Sequence, residues 1–194
     1  TDIVLTVRGK KKGLSIKCGY KNSVHVEPIA KFEKYLSLNK TDEKIIEKIK
    51  RYLYADGTND NTGVARLTNL EYINHYEKSI KDINNELDML KVGLSRRFLI
   101  ETDIKYRVKV AAFIHGIPND FIWATTEEVE DYLINTKHSS SSVHVGKLYI
   151  QSWDKNIKRN PEYEYRREYI QVKWFSMYDD MIAIMARRCN LINI

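Results

Sequence analysis

Apolar and polar positions alternate with period two at the start of the chain, and that alternation marks strands. Asp2 to Val7 reads as one β-branched strand and Leu14 to Cys18 as its return, with Arg8-Gly9-Lys10-Lys11-Lys12-Gly13 as a basic turn between them. Val24 to Val26 extends further, and Pro28 opens a helix carrying Ile29, Phe32, Tyr35 and Leu36 at helical spacing. A second helix is predicted over Thr41 to Tyr54, with Thr41 as N-cap and Ile45, Ile46, Ile49 and Leu53 as one stripe. Asp56 to Gly63 is built almost wholly of turn formers and breaks the pattern. Helical spacing resumes over Asn69 to Arg97, with Gly93 as a candidate bend. Buried strands are predicted at Val108 to Ile114 and Phe121 to Ala124, around a turn from His115 to Asp120. Thr125 and Thr126 cap a short helix whose first turn holds Glu127 and Glu128, where the helix dipole favours carboxylates. A polar loop from His138 to Ser142, a strand from Val143 to Trp153, a basic loop from Lys155 to Arg167 and a strand from Tyr169 to Phe175 complete the pattern. Strands at both ends with helices grouped between them predict a mixed α/β or α+β single domain.

Composition narrows the function classes. Of 194 residues, 43% are apolar and 30% charged, enough of each to close one core inside a solvated surface, which excludes a disordered chain. No run approaches the roughly 20 apolar residues of a membrane helix, and the first residues are too polar for a signal peptide, so the expected location is cytoplasmic with no membrane partner. Cys18 and Cys189 are the only cysteines, with no Cys-x-x-Cys pair, so neither a disulfide framework nor a thiolate zinc site is in view. The 32 Lys+Arg against 26 Asp+Glu leave a net charge of +6, a modest push toward nucleic acid.

Three constellations carry candidate chemistry. In the first hairpin Asp2 begins one strand, while Ser15 and Lys17, two apart, share a face of its neighbour. A carboxylate that can hold Mg²⁺, a second oxygen and an ammonium that can steady an attacking water suit phosphodiester hydrolysis. On spacing alone, a solvated terminal Asp and an ordinary strand Lys explain the same residues. The second constellation, Gln171-Val172-Lys173 with Asp154 upstream, has the form of a rival catalytic strand, ranked lower because Asp154 follows the end of its strand. The third is basic and aromatic: Lys155, Lys158, Arg159, Arg166 and Arg167 among Trp153, Tyr163 and Tyr165, with Lys10, Lys11, Lys12, Lys17 and Lys21 near the hairpin. Such side chains neutralise phosphates and reach base edges. Solvated surface is the plain alternative. Asp56-Gly57-Thr58-Asn59-Asp60 lacks the closing Glu of a calcium loop, and the five histidines share no metal-binding spacing.

The run Thr1-Asp2-Ile3-Val4-Leu5, then Gly13-Leu14-Ser15-Ile16-Lys17, then Gly19-Tyr20-Lys21-Asn22-Ser23-Val24-His25-Val26, resembles the catalytic strands of the PD-(D/E)xK nuclease superfamily, and more narrowly type II restriction endonucleases of the MspI and HinP kind. In that group the last acidic position is relaxed to Asn or Gln, and Ser15 is a further relaxation. The strands Val143 to Gln151 and Tyr169 to Trp174, with their Ser-rich approach, are similar to the group's closing strands. The resemblance implies a central mixed β-sheet flanked by helices and a Mg²⁺-dependent endonuclease cutting double-stranded DNA at a short palindromic site, as a monomer or homodimer. It implies Asp2 as metal ligand, Lys17 as the group positioning the water and Ser15 as completing the set. DNA contacts are expected at Lys21, Asn22, Ser23, Ser140, Ser141, Ser142, His144, Lys147, Gln151, Lys155, Arg159, Arg166 and Lys173. The group carries a helix and strand before the metal-binding Asp, so an N-terminal segment ahead of Thr1 is expected. A DNA-binding module without catalysis is the competing expectation, and a protein-interaction domain the blandest one.

Overall fold

Arg8 and Gly9 both adopt left-handed backbone angles (φ 50° and 75°), the mirror-image turn whose twist matches a right-handed hairpin. They reverse β1 (Ile3–Val7) into β2 (Lys10–Lys17), so Lys10 to Lys12 are strand residues and not part of the turn. This computed structural model describes residues 2–19, 22–63, 69–100, 108–152 and 161–192. β2 runs parallel to β4 (Val110–Ile117), which turns at Pro118 and Asn119 into β5 (Asp120–Thr125), giving a sheet in the order β1-β2-β4-β5. β3 (Ser23–Pro28), β6 (His144–Val145), β7 (Leu148–Ser152) and β8 (Tyr169–Lys173) form a second, antiparallel sheet in the order β3-β8-β7-β6. The mixed α/β class is as the sequence predicts, but the strands divide into two four-stranded sheets instead of one central sheet.

Helices α1 (Ile29–Leu38), α2 (Glu43–Tyr54), α3 (Asn69–Met89), α4 (Lys91–Leu99) and α5 (Thr126–Asn135) follow the apolar stripes. Their ends differ from expectation in two places. Asp42, not Thr41, caps α2, accepting a hydrogen bond from the Lys44 N–H at 2.8 Å. The long helix breaks at Leu90, whose N–H returns to Leu87 O, and not at Gly93. Gly93 is a packing residue: a Cβ there would stand 2.5 Å from the Tyr35 hydroxyl on α1.

The expected strand from Val143 to Trp153 is a hairpin, β6 to β7, turned by Gly146 (φ 52°) and Lys147. A last helix, α6 (Met177–Ile192), follows β8 and was not anticipated, although Met177, Met181 and Ile184 repeat at spacings of four and three and are buried. No helix among the described residues is long and apolar enough to cross a membrane.

Trp174, fully buried, meets Phe113 edge to face at 6.2 Å and joins the inner faces of the two sheets. The same buried core takes in Ile150, Ile170 and Val172 from the second sheet, Ala124 from the first, and Met177 and Met181 from α6. Thr125 and Glu128 form a capping box at the start of α5, and Arg188 of α6 donates to both oxygens of Glu128, fastening the last helix to that corner. The opposite face of the first sheet carries Ile3, Leu5, Val7, Phe121 and Trp123, each between 42% and 53% exposed.

Candidate active site and nucleic-acid surface

β-Pairing brings Asp2, Ser15 and Lys17 together. The Asp2 N–H donates to Leu14 O at 2.8 Å, extending the β1–β2 ladder by one residue and placing the carboxylate beside β2. Asp2 Oδ2 accepts from the Ile16 N–H at 2.6 Å and from Ser15 Oγ at 3.5 Å, and lies 3.6 Å from Lys17 Nζ. Asp2 Oδ1 has no hydrogen bond among the described residues. The Asp2 side chain is 46% exposed and the Lys17 side chain 15%, while Ser15 is buried. Lys17 therefore reaches the carboxylate from a mostly buried position, while the Asp2 side chain is about half exposed.

The parallel neighbour β4 adds a residue that sequence spacing could not place. Lys17 is opposite His115, as Ser15 is opposite Phe113, so the imidazole lies on the same face as the lysine. His115 Nδ1 is buried with no hydrogen-bond partner among the described residues, and its ring lies 5.4 Å from that of Tyr178 on α6.

The predicted DNA-contacting residues divide three ways. Ser23, Lys173, Tyr149 and His144 form one cross-strand row of the second sheet, and Gln171 pairs with Gln151 in the next row on that face. The Asn22 backbone carbonyl accepts from the Trp174 N–H at 2.9 Å, which docks the start of β3 beside this row. Burial holds the Lys173 ammonium below its ordinary pKa, and no carboxylate among the described residues offsets that cost. Arg166 stacks over Tyr165, 5.2 Å from the ring centre, at the end of a short 3₁₀ stretch (Pro161–Arg166).

The Ser loop is internally organised. Ser140 Oγ accepts from the Ser142 N–H, and Ser142 O receives both Asn84 Nδ2 and His144 Nδ1. Ser139 and Ser140 line a cleft of about 570 Å³ with His138, His144, Lys91 and Asn84, while Ser141 is exposed on its other side. His138 bonds the Tyr149 hydroxyl at 2.9 Å; burial, then the nearby His144 and Lys147, depress its pKa.

Lys147 departs from expectation. The Gly146–Lys147 turn sends its ammonium inward to Asp180, which is almost fully buried and also accepts from Tyr132, Trp174 Nε1 and Ser176 Oγ. Burial alone would raise the Asp180 pKa, but these donors, led by Lys147, outweigh it and hold the carboxyl below its usual range. Lys147 is thereby spent on the core and is no longer available to a phosphate.

Asp56 likewise spends its carboxylate locally, on the Thr58 and Gly63 N–H groups and the Thr58 hydroxyl, so the faint calcium-loop pattern is a turn. Lys21, Lys155 and Arg159, and Asp154 of the rival catalytic strand, lie outside the described residues. Among the described residues, no group of three or more His, Cys, Asp or Glu side chains converges as a metal cage. No protein-family model matches this sequence, and no curated protein matches it.

Proposed function

We propose that this chain is a Mg²⁺-dependent deoxyribonuclease of the type II restriction kind, hydrolysing phosphodiester bonds of double-stranded DNA at a short palindromic site. The observation that carries this reading is the convergence of Asp2, Ser15 and Lys17 on one strand pair, with Asp2 Oδ1 unbonded among the described residues and the side chain about half exposed.

The donor set fits the ion. Mg²⁺ keeps several waters and is held by one or two carboxylates plus substrate phosphate, so a dedicated cage of protein ligands is not required. Asp2 Oδ1 is the available ligand, with the Ser15 hydroxyl beside it. Bound there, the ion supplies charge neutralisation at the phosphoryl oxygens and a more acidic water.

The chain's own groups do the rest. The Ile16 N–H fixes the Asp2 rotamer through a charge-assisted bond, so the carboxylate does not have to be ordered by substrate. Lys17, anchored in the sheet, directs its ammonium at the same carboxylate and can hold a water for attack or steady the charge of the pentacovalent transition state. Ser23, Lys173, Gln151 and His144, on one face of the second sheet, supply a phosphate-neutralising cation and polar groups for base edges. Lys147 is left out of that set.

A second reading, DNA binding without catalysis, is favoured by one observation: Lys17 already neutralises Asp2, as an ion pair with a purely structural role would. Incubation of the full chain with plasmid and linear duplex DNA, in Mg²⁺ and in EDTA, separates the two. Discrete cleavage products in Mg²⁺ that vanish in EDTA and with Asp2→Asn support the nuclease. Retarded complexes without products at any Mg²⁺ or Mn²⁺ concentration support the module.

A further inference from the structure

The corner where β8 enters α6 holds two aromatic rings that the core does not use. Phe175 and Tyr178 are each 51% exposed, three residues apart, yet each is tied to a different sheet. Phe175 lies 5.0 Å from Tyr149 on the second sheet at a near-perpendicular 72°, and Tyr178 lies against His115 beside Lys17 on the first. Exposing one large ring has no energetic benefit to folding; two half-exposed rings at one corner are a ready surface for another flat group.

The charge at this corner points to what that group is attached to. Lys173 Nζ lies over the Phe175 ring, 5.7 Å from its centre, and is half-buried, and its pKa is lowered by burial with no carboxylate among the described residues opposing it. Such an ammonium is stabilised by an anion brought from outside. The hydroxyl of Ser23, opposite Lys173 in the β3–β8 register, is placed to add a neutral donor. A cation held over a half-exposed aromatic ring, with no ion pair among the described residues, is a complementary match to a single nucleotide unit, phosphate to Lys173 and base to the exposed part of Phe175.

Resting on the nucleic-acid reading above, we propose that this corner is a nucleotide subsite: Lys173 takes a backbone phosphate and Phe175 stacks on an unpaired base next to it. Stacking on a ring face requires a base whose own face is free, so the site selects DNA in which a base is unstacked over a fully paired helix. Tyr178 touches His115, the residue paired with Lys17, so the subsite borders the candidate site of cleavage.

The test is equilibrium binding of the full chain in EDTA, where no cleavage intervenes, to three fluorescent DNAs: a paired duplex, the same duplex with one unpaired base, and a single strand. Phe175→Ala is expected to weaken binding to the two unpaired DNAs about tenfold or more, in line with the loss of one stacked base, and to leave the paired duplex nearly unchanged. Phe175→Trp is expected to retain the preference, which separates a lost stack from a damaged fold. Lys173→Gln is expected to weaken all three DNAs and to flatten their salt dependence by about one phosphate contact.

Equal weakening of paired and unpaired DNA by Phe175→Ala, or no weakening at all, overturns the subsite while leaving a nuclease intact. Selective weakening in a chain that never cuts DNA keeps the subsite and removes the nuclease. A wild-type chain that binds none of the three removes both.

Discussion

Two of the described aspartates each meet a Ser and a Lys, and the two trios are built for opposite ends. Asp180, with Ser176 and Lys147, is nearly fully buried, and all four of its described donors are satisfied at hydrogen-bond distance on its two oxygens. Asp2, with Ser15 and Lys17, has one oxygen engaged, a long hydroxyl contact, an ammonium at 3.6 Å and a second oxygen with no hydrogen bond among the described residues, on a side chain about half exposed. Composition alone cannot separate them. What separates them is coordination: a saturated carboxylate in the core holds the Trp174 and Tyr132 side chains in place, and an unsaturated one at the surface can still take a ligand.

The sharpest way to break this comparison is to neutralise each aspartate. Asp180→Asn strands the Lys147 ammonium in the interior and is expected to cost about 3 kcal/mol in chemical denaturation. Asp2→Asn removes a half-exposed ion pair and is expected to cost under about 1 kcal/mol by the same measurement. Comparable losses at both positions would mean that Asp2 is a structural residue too.

Acid should unfold the chain through the buried carboxylates. Besides Asp180, Glu27 is held below its ordinary pKa: burial would raise it, but His25 and the paired Arg97 guanidinium outweigh that cost. A carboxylate with a depressed folded-state pKa contributes stability that is present above the unfolded value and is lost as pH falls through the folded one. The share of stability these carboxylates contribute should therefore persist from about pH 7 to about pH 5 and decline below about pH 4, where they take up protons, while His138, whose pKa is depressed in the fold, should remove a separate share as pH falls below about 6.5. Asp180→Asn should flatten that decline, which denaturant titrations at each pH would reveal.

Smaller effects sharpen the contrast. Ser15→Ala, which removes only a 3.5 Å contact to Asp2, is expected to slow Mg²⁺-dependent cleavage by no more than about tenfold and to leave stability within about 1 kcal/mol. Arg8→Asn puts a residue tolerant of left-handed angles in the hairpin turn, at φ 50°, and is expected to raise the melting midpoint by about 2 °C in a calorimetric scan.

The Asp2 site was readable in the sequence because it is local: a hairpin and a period of two place Ser15 and Lys17 on one face with Asp2 across the turn. His115 was not readable as a neighbour of Lys17, because a parallel pairing across some hundred residues leaves no mark in local spacing. The Gly146–Lys147 turn and α6 were legible in principle. Gly146 interrupts the alternation read there as one strand, and Met177, Met181 and Ile184 repeat at helical intervals. Missing both hid Asp180 and turned Lys147, an inward-facing cation, into an expected phosphate contact. Ser23, Lys173 and His144 are expected DNA contacts from the sequence while Tyr149, which lies between the last two, is not; their assembly into one row depends on the antiparallel order of the second sheet.

The most direct measurement is the initial rate of Mg²⁺-dependent cleavage of duplex DNA by Lys17→Met against the unaltered chain, at equal folded fraction and with binding in EDTA followed in parallel. The account predicts that cleavage falls by at least about a hundredfold, as for loss of a preorganised charge at the reacting phosphate, while binding in EDTA changes little. Cleavage by Lys17→Met at the rate of the unaltered chain would contradict it and remove the Asp2, Ser15 and Lys17 site from the chemistry.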